Sequence, residues 1–252
     1  MLSRNFRLQR VGDIRWLQKN YNFSQIANFI DELVVLDVSR QARQPERFCE
    51  VLRAVASGCF VPIAAGGGVR SVQHAKALLR NGADKVVVNS VLFDDPDFVK
   101  QLAQEFGQQC VVASIDAKYD EAGLARCWTG NGQILQPKPL LQFWTELLKM
   151  PVGEIYLNSI YRDGTGQGFD MDLLDSLPPV MSVPVIFAGG VGNAQHLAQG
   201  LRDERVDAVA TAHLFNFVGD GLARARAHLV SHGFSLASWP NPETAKTGVQ
   251  LG

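Results

Sequence analysis

Short apolar, β-branched runs alternate along the chain with longer segments in which apolar residues recur at helical spacing. A glycine, asparagine or aspartate turn follows each run, and segment 97–106 shows the helical spacing, with Phe98, Leu102 and Phe106 on one face. This alternation is typical of βα units in a parallel sheet. The predicted strands lie at residues 33–38, 61–65, 85–89, 111–116, 154–158, 185–188 and 208–212.

An internal repeat divides the chain into two similar halves. Residues 61–69 (VPIAAGGGV) match residues 183–191 (VPVIFAGGV), and Asp84 with the strand after it matches Asp207 with the strand after it. The repeat predicts a (β/α)8 TIM barrel built of two half-barrels, each with four βα units. We expect one barrel domain at residues 1–239 and a polar tail at residues 240–252.

The repeat also predicts a strand that the printed sequence does not contain. The strand at residues 111–116 opens the second half, and its counterpart in the first half would fall before Met1. Either the chain lacks the first strand of the barrel, or the recorded start lies inside the natural reading frame. Because a barrel without one strand has two unpaired edges, we expect the chain as written to aggregate or fold only partly when expressed alone.

Composition argues against several classes of binding site. Of the 252 residues, 24 are Lys or Arg and 25 are Asp or Glu, so no broad basic field exists to hold nucleic acid or an anionic membrane. The four cysteines have neither CxxC spacing nor the density of a disulfide scaffold, and no His, Cys or acid cluster has metal-ligand spacing. No signal peptide or membrane span is recognisable, so we expect a cytoplasmic protein.

Two glycine-rich turns are candidate phosphate sites. Gly66-Gly67-Gly68 and Gly189-Gly190-Val191-Gly192 each follow a strand and precede a helix, where free backbone N–H groups can hold a phosphate. The alternative is a tight βα turn that needs glycine for its backbone conformation. Their matching places in the two halves favour phosphate binding.

Two aspartates end apolar strands and are candidate acids or bases. Asp116 and Asp37 would lie at the carboxyl-end mouth of the barrel, where an apolar wall raises a carboxyl pKa. The alternative is a helix N-cap or turn partner. We favour catalysis for Asp116 and leave Asp37 open. The glycine-rich loop 161–170 either folds over a ligand or is a surface connection, and His213 is either a ligand contact or a half-buried polar residue.

Charged residues begin three of the apolar runs. Glu32, Lys85 and Glu154 would gather at the amino-end rim of the barrel axis, where unlike charges can pair. This rim is either solvated or a charged gate to a tunnel.

These motifs together resemble the cyclase family of the histidine-biosynthesis barrels, over about residues 4 to 233. The blocks that carry the resemblance are residues 31–37, 66–69, 83–86, 114–118, 153–155 and 162–165. In that family a glutaminase subunit makes ammonia, which passes through the barrel to a bisphosphorylated carboxamide ribonucleotide. The products are imidazole glycerol phosphate and an aminoimidazole carboxamide ribonucleotide, and no cofactor takes part.

The resemblance implies a role for each matched residue. Asp116 matches the catalytic acid after the fifth strand, and Asp84 matches a contact to the glutaminase. One phosphate site matches Gly68, Asn89 and Ser90, the other matches Asp163, Gly164, Gly190 and Ala212, and the gate matches Glu32, Lys85 and Glu154.

Several family positions differ in this chain. The other catalytic aspartate and the arginine of the gate belong to the first strand and have no counterpart here, and the phosphate-binding lysine would fall near Leu2. Tyr161 replaces an aspartate, and His213 replaces a serine of the second phosphate site. Two alternatives therefore stay open: a paralogue that supplies ammonia for amidino sugars in surface glycans, and a non-catalytic barrel that only activates the glutaminase.

Overall fold

The computed structural model describes residues 2–9, 16, 23–40, 42–213 and 220–238. The strands are β1 (Leu2–Arg4), β2 (Arg7–Gln9), β3 (Leu33–Leu36), β4 (Ile63–Gly66), β5 (Lys85–Val88), β6 (Val111–Tyr119), β7 (Ala125–Thr129), β8 (Ile134–Pro139), β9 (Glu154–Ser159), β10 (Val185–Ala188) and β11 (Ala208–Ala210). The helices are α1 (Phe23–Ile26), α2 (Pro45–Ala56), α3 (Val72–Arg80), α4 (Val91–Asp94), α5 (Pro96–Phe106), α6 (Leu140–Leu147), α7 (Met171–Asp175), α8 (Ala194–Leu201) and α9 (Gly221–Ser231). The predicted tail at residues 240–252 lies outside the described residues.

A parallel sheet in the order β3-β4-β5-β6-β9-β10-β11 forms the centre of the molecule. All seven predicted strands are confirmed, and helices connect successive strands. The fold is therefore an α/β TIM barrel. Within the described residues, β3 and β11 are the two edges of this sheet and do not pair with each other. Arg226 on α9 spans the two edges by donating to Asp31, which precedes β3, at 2.9 Å.

Strand bounds differ from the prediction by one to three residues at all the predicted strands except β10, and two of these differences have a clear local reason. The ladder of β4 begins at Ile63 instead of Val61, because Pro62 has no N–H to donate. Strand β3 ends at Leu36, and the chain turns there because the Asp37 carboxylate accepts a hydrogen bond from the Ser39 N–H at 3.0 Å.

The same pair of backbone contacts occurs once in each half. It involves Asp84 and Asp207, which the repeat had matched in the sequence. The Asp84 N–H donates to the Ile63 carbonyl and the Asp84 carboxylate accepts from the Ile63 N–H, at 2.7 and 2.8 Å. Asp207 makes the same pair of bonds with Val185, at 3.0 and 2.9 Å. Each aspartate thus fixes the start of one inner strand to the next.

Most of the core lies between the sheet and the helices. Fully buried side chains there include Leu52, Leu78, Leu102, Trp144, Ile155 and Phe187. On the predicted face of α5, Phe98 and Leu102 are buried, which confirms the helical reading. A second, smaller cluster fills the barrel lumen with Ala64, Val87 and Val112, against which Val34 and Tyr156 pack.

Antiparallel strand pairing at two places in the chain was not predicted. Strand β6 continues past the parallel ladder and pairs with β7, which pairs with β8. The turn Gly130-Asn131-Gly132 has positive φ at all three residues, and this turn was the available signal in the sequence. The second place is the N-terminal hairpin of β1 with β2, which lies at the carboxyl-end mouth, where the Asn5 N–H donates to the Asp163 carbonyl at 2.8 Å.

Candidate active site

A cavity of about 1750 Å³ opens among the loops at the carboxyl ends of the strands and continues into the lumen. It also reaches between the edges of the sheet, where Val209, Leu222 and Leu229 line it. All the residues predicted for the two phosphate sites line this single cavity together with Asp116, namely Gly68, Asn89, Ser90, Asp163, Gly164, Gly190 and Ala212. The structure therefore brings together the groups that the sequence singled out separately.

Asp116 lies on the cavity wall, held by two amide side chains. Asn89 Nδ2 donates to Asp116 Oδ2 at 3.2 Å and to the Ser114 carbonyl at 2.9 Å. Asn158, which pairs with Asp116 across the β6–β9 ladder, places its Nδ2 3.4 Å from Asp116 Oδ1. Both carboxylate oxygens thus have a neighbouring donor, and the side chain is fixed toward the cavity.

Burial raises the pKa of Asp116 to about 7. The hydrogen bond from Asn158 opposes this shift, and the nearby negative charge of Asp163 adds to it. A carboxyl group with a pKa near neutrality is populated in both forms at physiological pH, so it can donate or accept a proton.

The first glycine loop connects β4 to α3. Gly67 and Gly68 both have positive φ, at 116° and 69°. A Cβ on Gly67 would lie 2.4 Å from the Asp37 carbonyl oxygen, so this residue must be glycine for the loop to pack on the end of β3. Asn89 and Ser90 follow the neighbouring strand β5 and face the same part of the cavity.

The second glycine loop connects β10 to α8 and packs against the loop 164–168. The Gly168 N–H donates to the Gly190 carbonyl at 2.7 Å, and a Cβ on Gly190 would lie only 2.0 Å from the Gly168 carbonyl oxygen. Asp163 binds the N-terminal hairpin: its carboxylate accepts from the Ser3 hydroxyl and, at 3.3 Å, from the Phe6 N–H. This hairpin covers Gly164.

Charged residues meet at the amino ends of the strands, at the bottom of the lumen. Lys85 Nζ donates to Glu32 Oε2 and to Glu154 Oε1, each at 2.6 Å. Burial raises the pKa of Glu32, whereas the two carboxylate partners raise the pKa of Lys85 against the effect of its burial. Glu32 Oε1 and Glu154 Oε2 are buried without a hydrogen-bond partner among the described residues.

The lumen joins this charged layer to Asp116. On β9, the alternating residues Glu154, Tyr156 and Asn158 all line the cavity. Tyr156 packs on the apolar lumen cluster, and burial, together with the charges of Asp116 and Asp163, raises its pKa. An apolar section therefore separates the charges at the bottom from Asp116 at the top.

Four further residues singled out in the sequence have defined surroundings. Asp37 is held in the turn after β3, which favours the turn-partner reading that the sequence left open. The Asp84 carboxylate binds backbone, as described above. Tyr161 is half-exposed, and its hydroxyl donates to the Tyr119 carbonyl at 3.2 Å. His213 is half-buried. Its ring lies beside Gly166, in the loop 164–168 that packs against the second glycine loop.

Sequence reasoning missed three residues of this site. Asn158 and Tyr156 follow Glu154 at alternate positions of an already predicted strand, so the strand period was enough to place them in the lumen. Arg43 lies in the connection between β3 and α2, and its side chain packs on Gly68. No local pattern indicated Arg43.

The described residues show neither a metal-binding cluster nor a membrane-spanning helix. These residues contain no group of three or more His, Cys, Asp or Glu side chains that could hold a metal ion. None of the helices in the described ranges has the length and apolar character needed to cross a membrane.

Comparisons with known proteins connect this chain to one family. The histidine biosynthesis protein family matches residues 9–219. A relative from Parasynechococcus marenigrum (strain WH8102), named "Putative imidazole glycerol phosphate synthase subunit hisF2", is 48% identical over 240 residues, covering 95% of this chain and 89% of the relative. The family match spans all seven parallel strands and every candidate site residue from Glu32 to His213.

Proposed function

Because the chain belongs to the histidine biosynthesis protein family, we propose that it is a cyclase-type subunit of imidazole glycerol phosphate synthase. It uses ammonia to cyclise and cleave a bisphosphorylated carboxamide ribonucleotide, in the manner of a lyase. The observation that carries the proposal is the arrangement of Asp116, with a pKa of about 7, in one cavity with two glycine loops.

In this proposal Asp116 is the catalytic acid and base. The two glycine loops hold the two phosphates of the substrate, one with Gly68, Asn89 and Ser90 and the other with Asp163, Gly164, Gly190 and Ala212. Two bound phosphates fix the reacting part of the substrate over the carboxyl group. Asn89 and Asn158 keep the ionised carboxylate oriented.

Ammonia reaches Asp116 through the lumen. The charged layer of Glu32, Lys85 and Glu154 forms the entrance, and the apolar section above it favours neutral ammonia over the ammonium ion, because an unpaired charge is costly in an apolar passage. A glutaminase subunit docks at this end, near Asp84, and supplies the ammonia. The site needs no cofactor for this chemistry.

A second candidate function is supported by Tyr161 and His213. Both stand at positions where the cyclase family has smaller or acidic residues, and His213 lies beside the second glycine loop. A different acceptor, such as the amidino sugar precursor of a surface glycan, would fit this change. A barrel that only activates the glutaminase is the remaining alternative.

The test is an assay with ammonium salt in place of the glutaminase, at a pH above 8 where more neutral ammonia is available. The purified chain is incubated with the bisphosphorylated ribonucleotide, and the imidazole product is followed by mass spectrometry. Formation of imidazole glycerol phosphate supports the cyclase. Binding of the substrate without product, together with stimulation of an added glutaminase, would instead favour the glycan paralogue or the non-catalytic partner.

A further inference from the structure

The side chain of Arg43 lies directly on the first glycine loop. A Cβ placed on Gly68 would be 2.7 Å from Arg43 Cδ and 2.8 Å from both Nε and Nη1. Gly68 has no side chain, and this allows the guanidinium to approach the loop backbone so closely. The positively charged guanidinium of Arg43 therefore lies beside the loop to which the proposed function assigns a phosphate.

The guanidinium of Arg43 retains donors for a ligand. Among the described residues its one ion pair within 4 Å is with Asp37, whose Oδ2 lies 3.9 Å from Arg43 Nε, beyond hydrogen-bond distance. The Arg43 side chain is 39% exposed and lines the cavity, whereas Asp37 is only 11% exposed. Asp37 thus holds the arginine near Gly68 without occupying its N–H groups.

Neighbouring arginines are engaged differently. Arg40, in the same connection, donates to the Phe6 carbonyl of the N-terminal hairpin. Arg70, just after the glycine loop, forms an ion pair with Asp94 at 2.9 Å. Of these three arginines near the first loop, Arg43 alone has no hydrogen bond within the described residues, so its donors remain available to an anion.

We propose that Arg43 binds the phosphate group of the substrate at the Gly68 loop. The assignment rests on the proposed function for the identity of that loop as a phosphate site. An arginine presents paired N–H donors that match two oxygens of a phosphate. Arg43 thereby supplies a positive charge to the first loop and makes it selective for dianionic groups.

The experiment measures binding of inorganic phosphate and of ribose 5-phosphate by isothermal titration calorimetry at fixed ionic strength. Arg43→Gln removes the charge at similar length, and Arg43→Lys keeps the charge without the fork. Arg80→Gln is the matched control, since Arg80 is an exposed cation at the far end of α3. Urea unfolding of each variant shows that binding is compared between folded proteins.

We expect Arg43→Gln to weaken phosphate binding about 10- to 100-fold, the range for loss of a charge-assisted hydrogen bond. Arg43→Lys should lie between this variant and the wild type, and Arg80→Gln should bind within about twofold of the wild type. If the wild type binds phosphate and Arg43→Gln binds it equally well, the Arg43 assignment is wrong, but the proposed phosphate site at the glycine loop is not contradicted. If the wild type binds neither probe, both the assignment and the proposed phosphate sites are wrong.

Discussion

The two glycine loops occupy matching places in the two halves of the barrel, but different atoms cover them. The first glycine of positive φ in each loop, Gly67 or Gly189, has similar surroundings. A Cβ on Gly67 would lie 2.4 Å from the Asp37 carbonyl oxygen, and one on Gly189 would lie 2.7 Å from the Ser159 carbonyl oxygen. Their second glycines differ. Gly68 faces the flexible side chain of Arg43, whereas Gly190 faces the backbone of Gly168.

This difference distinguishes the contacts that are common to both halves from the contacts that are found in one half. The approach of the first glycine to the preceding strand is common to both halves and belongs to the βα architecture. The cover over the second glycine comes from a connection peculiar to each half, namely the segment after β3 or the segment after β9. We infer that the second loop is held rigid by backbone contacts, while the first can adapt through Arg43.

The largest expected effect is on turnover, when Asp116 is changed and both glycine loops are left as they are. Asp116→Asn is nearly isosteric, so it removes proton transfer and leaves both glycine loops in place. Ammonia-dependent turnover should fall about 10²- to 10⁴-fold, with phosphate affinity within about twofold of the wild type. Unchanged turnover in a steady-state assay would show that Asp116 is not the catalytic acid or base.

A single added methyl group should affect the two loops unequally. Gly190→Ala places Cβ against the carbonyl oxygen of Gly168, whose N–H is hydrogen-bonded to the Gly190 carbonyl, and we expect a loss of about 3 kcal/mol or more in the free energy of unfolding. Gly68→Ala has the cost of positive φ, about 1–2 kcal/mol, because the Arg43 side chain can move aside. Urea unfolding of both variants measures the contrast, and equal losses would refute the difference in cover.

The pH dependence of stability tests the environment of Asp116, whose pKa is raised partly by Asp163 on the second-loop side. The folded protein favours the protonated carboxyl, so this contribution to stability is full below about pH 4 and is lost as the pH rises through about 7. Each pKa unit corresponds to about 1.4 kcal/mol. Asp116→Asn should therefore gain stability relative to the wild type between pH 5 and pH 8.

The measurement is urea unfolding of the wild type and Asp116→Asn at both pH values. Glu121→Gln, which changes an exposed carboxyl, serves as the control and should follow the wild type. A stability difference between Asp116→Asn and the wild type that stays constant with pH would contradict the raised pKa.

The smallest effect concerns the N-terminal hairpin, which contacts Asp163 and Gly164, next to and in the segment that packs against the second loop. Ser3→Ala removes one hydrogen bond to the Asp163 carboxylate, a loss of about 0.5–1.5 kcal/mol. Trypsin should then cleave faster after Arg4 and Arg7, while phosphate binding at the first loop stays unchanged. Equal cleavage rates for Ser3→Ala and the wild type would mean that other contacts hold the hairpin.

The sequence allowed prediction of the repeated parts of this molecule better than its additions. The inner strands follow from β-branched and other apolar runs because their residues are mostly buried, and Asp84 and Asp207 repeat the same backbone contact. Asp116 was predicted because it ends such a strand. The β7–β8 hairpin and Arg43 belong to connections for which the repeat gave no matching sequence, so the repeat carried no information about them. The position of Arg43 depends on a contact with Gly68 that exists only after the barrel has formed.

The central claim is that the two glycine loops form paired phosphate sites for one substrate beside Asp116. Its most direct test is calorimetric titration of the bisphosphorylated ribonucleotide in ammonia-free buffer, beside inorganic phosphate. The account predicts one ribonucleotide and two phosphates per chain, with the ribonucleotide bound at least about 100-fold more tightly, because the second phosphate binds intramolecularly. Two ribonucleotides per chain, or a ribonucleotide affinity no higher than that of phosphate, would contradict it.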